Sequence, residues 1–173
     1  MCRIGEIGSH PGDRDRSAIV AVLTYDYRTK GTFIELAEAA GRAHSMTAVT
    51  VDIWSDIHCP WALVAVHRLR AARARHGLDV VFAPRAWPLE WVNDHGTPRS
   101  IVTTETAALA GHEPELFNAY RNDSWPSTFL PAFELVAAAR RRHGARAAED
   151  VDYALRLAFF RDSVDVSVRA GLQ

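Results

Sequence analysis

Cys59 is the residue of this chain best equipped for covalent chemistry, because it stands in Asp56-Ile57-His58-Cys59-Pro60-Trp61-Ala62, between a strand-like run and a helix-like one. Unpaired N–H groups and the macrodipole at a helix start favour a thiolate, and thiols so placed can fall from a pKa of about 8.5 to roughly 3.5–7.5. Pro60 suits the first helical position, where its missing N–H costs nothing. The ordinary reading of a lone cysteine is an inert small hydrophobe. Here the strand-to-helix position and the C-P-W context favour the reactive one. For His58 two readings stay open: an imidazolium that supports the thiolate, or a solvent-facing side chain. Trp61, Trp87 and Trp91 either line a groove for a hydrophobic substrate or cover the core. His67, His76, His95 and His112 have no metal-ligand spacing with Cys59, so no metal site is expected.

The elements that must position Cys59 are legible on either side of it. Thr47 to Trp54 alternates Val49, Val51 and Ile53 and predicts a strand, and Pro60 to His76 predicts a helix that stops at Gly77. Ala62, Leu63, Val66 and Leu69 form its apolar face, which Arg70 and Arg73 interrupt. Leu78 to Ala83 predicts the next strand. Upstream, Ala18 to Tyr25 reads as a strand and Thr32 to Arg42 as a helix, so the order is β-α-β-α-β, the pattern of a parallel sheet with right-handed crossovers. Beyond Pro84 the chain turns to helix and loop. Glu113 to Tyr120 predicts a short helix. Ser127 or Thr128 opens another, which runs to Gly144 with Arg140, Arg141, Arg142 and His143 in its last turn, a solvated helix end. A final helix carries Val151, Ala154, Leu155, Ala158 and Phe159, with Glu149 and Asp150 at its start.

Composition removes several function classes. The 173 residues carry 20 basic and 21 acidic side chains, a formal charge of −1, so there is no global field to collect nucleic acid or anionic lipid. At 48% apolar and 24% charged, the chain reads as one globular domain with enough surface to bury a core unaided. Only Cys2 and Cys59 are present, which argues against a structural disulfide and for a reducing, cytoplasmic setting. The run Ala18 to Leu23 is far shorter than the roughly 20 residues of a membrane span.

Strand, C-P-W and helix together resemble the DsbA-like branch of the thioredoxin-fold thiol oxidoreductases, in particular the FrnE-like proteins with the motif D-x-x-C-P-W-C. The resemblance covers about Thr47 to Ser167 and includes Ala86-Trp87-Pro88-Leu89. It implies an α/β thioredoxin-like domain over 46–173, a helical insertion at about 87–162, and an N-terminal extension over 1–45. That extension is either a leading βα unit or a stretch ahead of a true start at Met46. It implies Cys59 as nucleophile, within a motif that includes His58, Pro60 and Trp61. Two departures stand out. Ala62 occupies the place of the resolving cysteine, and no proline follows Pro131 to form the family's cis-proline loop, so the C-terminal strands are expected to be missing and self-association is the expected symptom. The implied substrate is a protein or small-molecule disulfide or thiol. No cofactor is expected to be tightly bound, and glutathione or mycothiol is the implied external thiol. The rival readings are an enzyme like glutathione transferase kappa or 2-hydroxychromene-2-carboxylate isomerase, and an inactive fragment serving as a binding module.

Overall fold

The computed structural model describes residues 18–21, 48–121 and 125–167. Strand β2 (Val49–Ser55) lies between β1 (Ala18–Ala21) and β3 (Val80–Ala86), and all pairings are parallel. The registers place Val51 opposite Ile19 on one side and Phe82 on the other. The described strands thus form a mixed α/β fold with helices α1 (Pro60–His76), α2 (Leu89–Val92), α3 (Arg99–Ala110), α4 (Pro114–Phe117), α5 (Leu130–His143) and α6 (Ala145–Phe160). The expected strand at Ala18 to Tyr25 is described only over β1, and the expected helix at Thr32 to Arg42 lies outside the described residues, as does Cys2.

The apolar face expected of helix α1 is divided between two cores. Val66 and Leu69 pack on Val51, Ile53, Val80 and Phe82 of the sheet, while Leu63 and Val64 enter a second core with Val102, Phe117, Phe133 and Phe159. One helix therefore serves two cores, and its first half is apolar on most sides. Its end is as expected: Gly77 sits at φ 60°, and its N–H bonds the Arg73 carbonyl.

Three expectations need correction. The strand expected at Leu78 to Ala83 runs instead from Val80 through Pro84 to Ala86, because β3 borders β2 on one side only among the described residues, and a proline there removes no ladder bond from an outer neighbour. Arg99 to Ala110, where the sequence predicts no particular element, is helix α3; its Thr-rich run has modest helix propensity, and burial of Val102, Thr106 and Leu109 decides the matter. Glu149 and Asp150 do not stand at the start of the last helix, which begins at Ala145; they fall in its second turn, Glu149 buried and Asp150 exposed. Among the described residues, no peptide bond is cis, and no helix is long and apolar enough to cross a membrane.

Candidate thiol site at the start of helix α1

Cys59 is the N-cap of α1, at extended backbone angles (φ −85°, ψ 112°), just past the carboxyl end of the central strand. Its carbonyl accepts the Leu63 N–H at 3.1 Å and so opens the helix, with buried Pro60 at the first helical position. The side chain is half-buried. Burial pushes the thiol pKa up, and the nearby carboxylates of Glu105 and Asp56 push the same way. The Ala62 backbone N–H and the Arg156 guanidinium pull it down without overcoming the burial. The net direction is upward, which overturns the expectation of an acidified thiol: a helix start lowers a thiol pKa only where the sulfur keeps enough solvent or charge around it.

Beneath Cys59 lies a polar knot that sequence reasoning did not find. Arg156, 1% exposed, donates from Nη1 to the Asp56 carbonyl at 2.6 Å and from Nη2 to Ser55 Oγ at 2.8 Å. It also grips Asp152 with two bonds of 2.8 and 3.1 Å. Burial disfavours the Arg156 charge, yet Asp152 and Asp56 more than compensate and hold it above its ordinary range. Asp56, 2% exposed, accepts the His58 N–H at 2.9 Å and the Leu89 N–H at 2.5 Å, so one carboxylate fixes the Cys59 turn and ties it to the start of α2. The sequence signal was slight: an arginine inside the apolar run Leu155 to Phe160.

His58 is not the solvent-facing side chain that one of its two readings expects. It is 1% exposed, stacks on Phe129 at 4.2 Å and bonds Thr97 Oγ1 through Nε2 at 2.8 Å. Its Nδ1 lies 2.5 Å from Asp56 Oδ1, but off the line that a hydrogen bond needs. His58 instead pins the motif turn to the loop before α3.

The other expected residues are scattered. Trp61 is partly buried against the helical core, whereas Trp87 and Trp91 are 48% and 66% exposed, and Trp87 meets Trp54 edge to face at 6.4 Å. None of Trp61, Trp87 and Trp91 lines a described hollow. A cleft of about 270 Å³ opens beside His58, with Thr97, Trp125 and Phe129 in its wall. The larger hollow, about 620 Å³, is open surface along α3 at Arg99, Ser100, Thr103 and Thr104, and holds no group of the thiol site. Ala62, at the position a resolving cysteine would need, is buried. Comparison of the chain with family models, curated proteins and solved structures finds no match.

Proposed function

We propose that the protein acts as a single-cysteine thiol-exchange protein of the DsbA-like, thioredoxin-fold type, with Cys59 as its reacting group. The observation that carries this reading is the placement of Cys59 as the N-cap of α1 at the end of the central parallel strand, with the Ala62 N–H directed to the thiol. The Cys59 thiolate attacks one sulfur of a disulfide R–S–S–R, forms Cys59–S–S–R and releases R–S⁻; the thiol proton leaves to solvent. With Ala62 next in the motif, an external thiol such as glutathione or mycothiol completes the exchange. The raised pKa shapes both steps. Little thiolate is present near neutrality, so attack is slow, and a high-pKa thiol is also a poor leaving group, so the mixed disulfide persists.

The test is to incubate the Cys2→Ser chain with glutathione disulfide and follow its mass. Accumulation of one glutathione adduct, absent in Cys59→Ser and converted by Ala62→Cys to an internal disulfide, is the expected result; the two positions on a first helical turn can reach the Cα separation of about 4.4–6.8 Å that a disulfide needs. No adduct at any ratio of oxidised to reduced glutathione overturns the reading. The raised pKa also favours a second reading, in which the neutral Cys59 thiol donates a hydrogen bond to a bound cofactor thiolate, as in an enzyme of the glutathione-transferase-kappa or 2-hydroxychromene-2-carboxylate isomerase type. Non-covalent glutathione binding without an adduct identifies that case.

A further inference from the structure

On one flank of α1, the fold brings His67 beside two carboxylates from a distant stretch of the sequence. His67 comes from the middle of α1, Glu113 from the N-cap of α4 and Glu115 from its first turn. One ligand atom from each, an imidazole nitrogen and two carboxylate oxygens, lies within 4.8 Å of the others, and His67 Nε2 is already 3.7 Å from Glu115 Oε1. Ligands around a tetrahedral zinc, with bonds of about 2.0–2.2 Å, stand roughly 3.4 Å apart. The widest separation allowed closes with a shift of about 1.4 Å, shared between the exposed Glu115 and the partly buried Glu113 side chains.

We propose that His67, Glu113 and Glu115 form a site for a divalent metal ion of the zinc type, with solvent completing the coordination. The imidazole is oriented for this. His67 Nδ1 is 2.7 Å from Tyr153 Oη, a group from α6 outside the ligand set, and the two rings lie 27° from parallel. When Nδ1–H donates to Tyr153 Oη, the Nε2 lone pair faces the carboxylates, the arrangement in which histidine binds metals. One nitrogen with two carboxylates suits a borderline ion such as Zn²⁺, whereas Ca²⁺ and Mg²⁺ favour all-oxygen sets. Arg68 Nε donates to Glu113 Oε1 at 2.6 Å, which neutralises one carboxylate and leaves Oε2 for the ion. The site then carries one net negative charge for the cation to meet. A bound ion fastens α1, the helix that carries Cys59, to the α3–α4 block.

Calorimetric titration of the Cys2→Ser/Cys59→Ser chain with ZnCl₂ tests the site, the serines removing thiols that would bind zinc themselves. One ion per chain is expected, with affinity lowered at least about 100-fold in His67→Ala and Glu115→Gln and about tenfold in Tyr153→Phe. His76→Ala, which alters an exposed histidine at the far end of α1, leaves it unchanged. Thermal melts without metal show whether each variant is folded, and the absorption spectrum of Co²⁺ bound to the unmutated ligand set gives an answer that needs no variant. No binding at millimolar zinc, or binding that survives in His67→Ala and Glu115→Gln, overturns the proposal and leaves an ion-pair cluster only.

Discussion

At the scale of the residue, the tension in this molecule is between where Cys59 is and what surrounds it. A helix start offers N–H donors, but burial and two carboxylates outweigh them. Iodoacetamide labelling of Cys59 in the Cys2→Ser chain is therefore expected to show a midpoint above that of a free thiol, about 8.5. Glu105→Gln, which removes a charge that raises the pKa, shifts the midpoint down. A thiol pKa raised in the folded state makes a contribution to stability that is full below the unfolded pKa and fades as pH rises through the folded one. The native chain should accordingly lose stability relative to Cys59→Ala above about pH 8.5, measured by urea unfolding at several pH values. A labelling midpoint below that of a free thiol would sink this account. The position of Cys59 was legible because strand alternation, Pro60 and Gly77 are local signals. Its acidity was not, because it depends on Glu105 and Arg156, which only tertiary structure brings near.

At the scale of the element, a buried ionic knot joins α1, β3 and α6 alongside their apolar packing. Glu149, 2% exposed, accepts from Arg70 at 2.5 Å, from Arg73 at 2.8 Å and from the Phe82 N–H at 3.1 Å. Arg70 also lies over the Tyr153 ring at 4.6 Å, and Arg73 donates to the Val80 carbonyl. The two arginines that interrupt the apolar stripe of α1 are thus its attachment points to the last helix. Pattern reading saw the interruption but had no means to find the partner, since a carboxylate early in a helix reads first as a dipole complement. Glu149→Ala leaves two guanidinium groups and a backbone N–H without their acceptor and is expected to cost about 3–5 kcal/mol. Asp150→Ala removes the exposed second partner of Arg70 and costs less than about 1 kcal/mol. Chemical denaturation of the two variants checks the contrast; equal costs would mean that the knot does not stabilise the join. The missed helix α3 teaches the same lesson, since burial rather than propensity makes it.

At the scale of the whole molecule, the sheet is asymmetric among the described residues. Val51 and Ile53 turn one face of β2 into the core with α1, and by the two-residue period of a strand Trp54 belongs to the other face. There Trp54 and Trp87, 39% and 48% exposed, pair edge to face beside the Asp52–Arg85 ion pair, and Trp91 and Val92 of α2 are exposed as well. Exposed aromatic side chains such as the Trp54–Trp87 pair favour association with a second surface. An ion pair and an aromatic pair give such a surface direction as well as adhesion, so a defined dimer is the expected species before larger aggregates. Light scattering after gel filtration should show mass rising with protein concentration, and Trp54→Lys combined with Trp87→Glu should return the chain to a monomer, with little change in the thermal midpoint because both positions are solvent-facing. A hydrophobic dye should bind the native chain and release as the dimer forms. A monomer at all concentrations, with a cooperative melt and no dye binding, would show that the tryptophan face is already covered within the chain, and the expectation of self-association would fall with it.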